Sequence, residues 1–465
     1  MDAPSMEGGR WSGAADRLLA VAREAVRACH AAGAIERFCR VERGRLALGG
    51  RTVPLTGGGR IVLIAFGKAA PEMIEGVRRA IGAAPIRRPV RALAVAPGHG
   101  AGPRAAGGAA ERARKRGAGA WRSIRLAGGH PVPTPGSFRA GREALRLAAG
   151  LRSADDAIFL ASGGGSALMT APLRPFLSAR EKTGLHRLLV VSGAPIGSIN
   201  AVRRHLSGIK GGRLAAAARR ARSQTTLVLC DVDPERFDEV ASGPSLPDPT
   251  TLDDMIAVLD RHGLPSFLPG RLLDALRRGA LPETPKPGDP IFRRSAAHLV
   301  LSNRDLREAA LRQGMALGLP ARGAAGDLTG PVGEGVEAVA GAIEGASPGI
   351  RLLVMGGEVV TSPAGGGRGG RAQEMALRLA LRMARRSPRR WAFLAIGSDG
   401  IDGNSPAAGA FADSTTLERA GRAGLDPEAL LDAGDSHRLF KRLRDAVFLP
   451  PTGTNVRDLY LLLTG

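Results

Sequence analysis

Runs of consecutive apolar residues, each about the length of a strand, alternate along the chain with stretches whose apolar residues recur at helical spacing. Residues 60–66 (RIVLIAF) form a continuous apolar run that predicts a strand buried on both faces, as in parallel sheets; 157–161 is an apolar run of strand length, and 90–96 reads as another strand. Further strands are predicted at 225–230, 298–301, 351–355 and 391–396. Leu18, Leu19, Ala22, Val26 and Ile35 lie at helical spacing within one helix predicted over 14–39. Helices are also predicted over 69–80, 137–151 and 372–385, and one ending near Ile343. This alternation predicts an α/β fold. Residues 246–289, rich in proline, read as a crossover between domains, and 323–335 reads as a loop.

The predicted strand ends give way to short polar or glycine-rich turns, where open α/β sheets collect ligands. After 157–161 comes Ser162-Gly163-Gly164-Gly165-Ser166, and a helix is predicted to start at Ser166. Three glycines without Cβ atoms allow close backbone approach, and N–H groups at a helix start suit an anion such as phosphate. A tight connection with no ligand reads equally from the glycines alone. Lys68 follows the strand 60–66 directly. It is no P-loop lysine, because the required earlier glycine is Val62. Arg203, Arg204, His205, Lys210 and Arg213 fall in one short stretch broken by Gly208, Gly211 and Gly212, a pattern for backbone approach to something negative. Asp231, Asn303, Glu358 and Asp399 each stand at or just past a predicted strand end. Asp231 suits magnesium held through phosphate oxygens, or the capping of a turn. Residues 365–370 satisfy GxGxxG, but without a clear βαβ context or an acidic residue at ribose spacing.

Composition narrows the choices. The net charge is +23, from 66 basic and 43 acidic residues, yet aromatics make up only 3%. The basic residues are spread along the chain and stacking platforms are scarce, so an anionic small molecule explains the charge better than nucleic acid. The stretch 98–119 is a basic Ala/Gly/Arg segment that reads as a mobile surface insertion, and residues 1–10 read as a disordered lead-in. Three cysteines without metal-ligand spacing, and no apolar run of membrane-spanning length, predict a soluble cytoplasmic protein with no membrane partner. There is no GxSxG elbow, HExxH or cysteine pair. Phosphoryl transfer needs what remains: backbone N–H groups, cations and a carboxylate for magnesium.

In number and order, FGKAA (66–70), GGHPVP (128–133), SGGGSAL (162–168), INAVRRHLSGIKGGRLA (199–215), ASGP (241–244), GRGGRAQE (367–374), GSDGIDG (397–403) and TGTNVRDL (452–459) resemble the MOFRL-type glycerate 2-kinases. Members of this family have often been labelled hydroxypyruvate reductases. The resemblance implies two α/β domains with the active site in the cleft between them. The first, 12–290, is a Rossmann-like parallel sheet with helices on both faces, and the second, 291–465, is the MOFRL domain. It implies ATP and Mg2+ as cofactors and D-glycerate or a related hydroxy acid as substrate; a homodimer is compatible with it. It casts Lys68 and Arg371 as catalytic cations, and it implies that the turn from Gly163 to Ser166 holds nucleotide phosphates. Together with the strand-edge residues this gives Ser162, Gly163, Gly164, Gly165, Ser166, Lys210 and Asn303 for the nucleotide. Arg203, Asp231 and Glu358 are assigned to the substrate, and Asp231 and Asp399 to the metal. The chain departs from the family pattern at Ala372, Cys230, Asp233 and Pro406. Two competing readings are an NAD(P)H-dependent reductase, resting on GxGxxG, and a basic nucleotide- or nucleic-acid-binding protein.

Overall fold

The computed structural model describes residues 13–82, 84–98, 121–361, 365–384, 390–450 and 452–465. The lead-in at 1–10 and, apart from Gly98, the basic segment 98–119 lie outside the described residues. The chain forms two compact units, Ala31–Val300 and Leu301–Gly465, and the described part of the first 30 residues belongs with the second.

In the first unit a small antiparallel meander, β1 (Cys39–Glu42), β2 (Arg45–Leu48) and β3 (Arg51–Pro54), precedes the main sheet. The main sheet comprises β4 (Ile61–Phe66), β5 (Val90–Pro97), β6 (Trp121–Gly128), β7 (Asp156–Ala161), β8 (Ser223–Leu229) and β9 (Ser295–Leu301). Its order is β6-β5-β4-β7-β8-β9, with the pairs β4–β5, β4–β7, β5–β6 and β7–β8 parallel. The chain builds outward from β4 in one direction, then returns to β7 and builds the other way. This is the doubly wound order of nucleotide-binding folds, and its switch point lies between β4 and β7.

Both strands are buried along their whole length because both faces are covered. Val62, Ile64 and Phe66 pack with Ala140, Ala144 and Ala148 of helix Pro135–Ala149. The alternate residues Ile61, Leu63 and Ala65 point to the other face, where helix Ala70–Ile81 lies against β4 and β5. Residues 246–289 are not a crossover between domains. They contribute helices Leu252–Arg261 and Gly270–Arg277, which bury Met255, Leu259 and Leu272 with Leu185, Leu189 and Val202 from helices Ala179–Val191 and Ile196–His205. Their prolines break the chain between helices and leave it within one apolar layer.

The helix expected over 14–39 is two helices, Ala14–Ala28 and Ala31–Phe38. They part at Cys29, and the two pieces belong to different units. Ala14–Ala28 packs on helix Asn303–Ala316 and on two strands of the second sheet. That sheet comprises β10 (Ala321–Gly323), β11 (Leu328–Pro331), β12 (Arg351–Val360), β13 (Trp391–Gly397), β14 (Gly409–Asp413), β15 (Ala446–Val447) and β16 (Asp458–Thr464). The order is β10-β12-β16-β13-β14-β15 with β11 also on β12; β10 and β11 run parallel to β12, and β16 is antiparallel to both its neighbours. Two expectations change here. The stretch 323–335 holds a strand, and β12 continues through Gly356 and Gly357 instead of ending there, because β11 and β16 supply partners on both sides.

Candidate active site

In the first unit, the ends of β4 and β7 are fastened together. The Lys68 amide donates to the Gly163 carbonyl at 2.9 Å, and the Ala69 amide donates to Ser162 Oγ at 3.2 Å. Gly67 has φ +124°, and a Cβ there would stand 2.2 Å from Ser162 Oγ. Only glycine lets the two strand ends approach this closely. Lys68 is half-buried beside the turn, and a Cβ on Gly164, whose φ is +79°, would lie 3.3 Å from Lys68 Cγ and 3.1 Å from His130 Cδ2. The helix expected to begin at Ser166 is a single turn, Gly165–Leu168. So short an element carries little macrodipole, and attraction for an anion there rests on local N–H groups and nearby cations. Among the described residues no amide of Gly163, Gly164, Gly165 or Ser166 donates a hydrogen bond.

The neighbouring loop completes this edge. Ser166 Oγ lies 2.7 Å from Ser242 Oγ, which donates to Asn200 Oδ1 at 3.0 Å. Ala241 and Ser242 both hold positive φ, 55° and 58°. Strain of this kind costs about 1–3 kcal/mol per residue and collects at functional sites. Lys210, 1% exposed, donates to the carbonyls of Met169 at 3.3 Å and Ala241 at 3.4 Å. Burial, then Lys182 and Arg203, push its ammonium well below the usual lysine range. The FGKAA, GGHPVP, SGGGSAL, INAVRRH and ASGP segments thus converge on the switch point. Asp231 stands half-buried two residues past β8 on the same sheet edge.

The basic stretch 203–213 divides in two. Arg204, 2% exposed, is paired with Asp248 at 3.0 Å and Asp238 at 3.1 Å, and His205 Nε2 lies 2.7 Å from Glu283. Arg213 is spent on the carbonyls of Arg204 (2.8 Å), Ser207 (2.9 Å) and Pro282 (2.9 Å). These three hold the segment together. Arg203 and Lys210, among the described residues, have no carboxylate partner.

In the second unit, Arg371 opens helix Arg371–Ala384 and faces two carboxylates. Its Nε and Nη2 grip Asp458 at 2.6 and 3.0 Å, and Nη1 bonds Glu358. Asp458 starts β16 between Gly357 of β12 and Gly397 of β13. Burial pushes its carboxyl up to about 6 against the opposing pull of Arg371, and Tyr460 donates to it at 3.0 Å. Glu358 lies within β12 rather than past its end. Asn303 is 2% exposed and donates to the carbonyls of Val456 at 2.8 Å and Asp458 at 2.9 Å, bracing the entry to β16. Asp399 accepts from its own Ile401 amide at 3.1 Å. Asp402, buried, caps the helix by accepting from the amides of Ala372 at 3.0 Å and Gln373 at 2.9 Å. Asp458, Asp402 and Tyr460 were not singled out from the sequence. TGTNVRDL and GSDGIDG contain the two aspartates, but the partners that define their roles lie far away in the chain.

The GxGxxG glycines are packing positions. Cβ atoms on Gly367 and Gly370 would stand 2.6 Å from the Ala433 carbonyl and 2.2 Å from Asp402 Oδ1. Their lack of a Cβ is thus accounted for by close packing against the chain itself.

A cation and a glycine turn at the switch point of a doubly wound sheet make an α/β strand edge suited to an anionic ligand. Residues 17–277 match the model of a domain of unknown function, DUF4147, and 351–458 match the MOFRL family. The D-glycerate 2-kinase of Thermotoga maritima is 32% identical over 416 residues, covering 88% of this chain and 92% of the relative. An Agrobacterium vitis protein, provisionally named a hydroxypyruvate reductase, is 37% identical over 348 residues, covering 73% of this chain and 77% of the relative. The crystal structure of a glycerate kinase from Thermotoga maritima superposes with a TM-score of 0.76 at 29% identity, covering 98% of this chain and 100% of that one. The chain belongs to the MOFRL-type glycerate kinase family.

Proposed function

We propose that the chain transfers the γ-phosphoryl group of ATP to the hydroxyl on carbon two of D-glycerate, yielding 2-phosphoglycerate. The observation that carries this reading is the joining of Lys68 to the SGGGSAL turn at the switch point, in a chain of this family. ATP with magnesium supplies the electrophilic phosphoryl group. The amides of Gly163 to Ser166 and the ammonium of Lys68 receive its phosphate oxygens, and Lys68 meets the charge that grows during transfer. Magnesium on a nucleotide needs only one or two protein carboxylates. Asp231 has the chemistry and the position for this in the first unit, and Asp399 is the half-buried candidate in the second. Arg371, oriented by Asp458 and Glu358, has three of its five N–H donors engaged and offers the remaining fork to a phosphoryl oxygen. Asn303 supports this centre from behind through the β16 entry. A cytoplasmic location belongs to the same reading, supported by Cys29, Cys39 and Cys230, all buried free thiols. Among the described residues no helix is long and apolar enough to cross a membrane.

The deciding experiment incubates the full chain with ATP, magnesium and D-glycerate and separates 2- from 3-phosphoglycerate among the products. The 2-isomer is expected. NADH consumption with hydroxypyruvate in place of phosphoglycerate formation would establish the reductase instead.

A further inference from the structure

Beside the switch point, helices Ala179–Val191 and Ile196–His205 bury several positive groups together. Lys182, 3% exposed, donates to the Leu206 carbonyl at 2.7 Å. His186, 5% exposed, has Nε2 only 2.8 Å from the Pro131 carbonyl. That contact requires Nε2–H as donor, so Nη2 of Arg203, 3.5 Å from the same nitrogen, meets a donor and not an acceptor. Nε of Arg203 is buried without any partner. Among the described residues, Lys182, Arg203 and Lys210 make no ion pair with a carboxylate. The charged groups acting on Lys182 are Arg203 and Arg213, and it in turn acts on His186 and Lys210. Asp248 and Glu283 act on Arg213 and are engaged by Arg204 and by His205 with Lys286.

Burying cations without counter-ions is costly unless something negative arrives. We propose that Lys182 and Arg203, with His186 as a positioning residue, form the site that takes the carboxylate of the 2-hydroxy acid substrate, and that binding there is coupled to proton uptake by Lys182. This rests on the kinase reading. Carboxylate is favoured over nucleotide phosphate for two reasons. The glycine turn already offers backbone donors for phosphates, and a mostly buried guanidinium fork suits a small planar anion. The direction of coupling follows from the same burial. Desolvation first, then Arg203 and Arg213, bring the Lys182 ammonium down to about 7. At pH 8 the empty site is therefore largely deprotonated at Lys182, and an incoming carboxylate restores the proton. His186, pushed down to about 3 by burial and then by Arg203 and Lys182, stays neutral throughout.

The test is calorimetric titration of D-glycerate into the wild-type full chain, in HEPES and in Tris, at pH 6 and pH 8. Uptake approaching about one proton is expected at pH 8 and close to none at pH 6. Lys182→Arg keeps the charge but cannot titrate, and should bind glycerate without uptake. Lys182→Met should raise the glycerate KM by about tenfold or more, leaving the ATP KM within about twofold. Proton-neutral binding by the wild type at pH 8, or an effect of Lys182→Met on ATP instead of glycerate, overturns the proposal. A wild type that binds glycerate with uptake but forms no 2-phosphoglycerate would overturn the kinase reading and leave this site standing.

Discussion

Arg203 and Arg204 carry the same side chain one residue apart and differ in everything that matters for function. Arg204 points into the layer formed with the 246–289 segment, where Asp238 and Asp248 neutralise it. Arg203 points toward His186 and finds no carboxylate among the described residues. A 100° step along a helix separates a cation paired with two carboxylates from the one proposed to bind substrate. Gly164 shows the same economy at the backbone. At φ +79° an alanine is strained by roughly 1–2 kcal/mol, and its Cβ would press on the Lys68 stem 3.3 Å away. Gly164→Ala should weaken ATP binding about tenfold while lowering Tm by only a few degrees, read by ATP titration and thermal melting. Unchanged ATP affinity in a folded variant would remove the turn from the nucleotide site.

At the scale of elements, the proposed chemistry and a buried ion-pair network lie at opposite ends of the parallel strands. The C-terminal ends of β4 and β7 carry Lys68 and the glycine turn. The opposite end holds Arg88 and Asp156, both fully buried, with Nη1 of Arg88 2.6 Å from Asp156 Oδ2. Arg88 also donates to the carbonyls of Pro54, Arg60 and Ala154, each at 2.9 Å, and so ties the starts of the strands to the loops before them. Removing one member of a buried pair leaves the other uncompensated, at a cost of about 3–5 kcal/mol. Arg222 still faces Asp156 and tempers the loss. Arg88→Met should therefore lower the urea midpoint markedly, yet leave kcat of the folded fraction near wild type, because roughly 17 Å of strand separates the network from Lys68. A large fall in kcat at unchanged stability would contradict this division.

For the whole molecule, the apolar runs made β4, β7, β8 and β13 legible with their boundaries nearly right, since continuous burial leaves a continuous apolar signature. Strand order was not legible, nor was the packing of Ala14–Ala28 with the C-terminal elements, because a helix's apolar stripe says that it packs and not where. The cations at strand ends were legible as candidates. The pairing of Arg371 with Asp458, 87 positions away, was not. That pairing sharpens the test of the two candidate catalytic cations. Lys68→Ala removes a half-buried ammonium and should cost kcat at least about two orders of magnitude with little change in Tm. Arg371→Ala does more, since it strands Asp458, which is 2% exposed in its side chain. A stability loss of about 2–3 kcal/mol is expected after allowance for the partial exposure of Arg371, confounding any loss of rate. Arg371→Lys keeps a cation for Asp458 but loses the guanidinium fork. It should hold Tm within a few degrees and still lose roughly tenfold to a hundredfold in kcat, with the glycerate KM little changed. If Arg371→Lys retained wild-type kcat at wild-type stability, Arg371 would be a structural partner of Asp458, and Lys68 alone would remain as the catalytic cation.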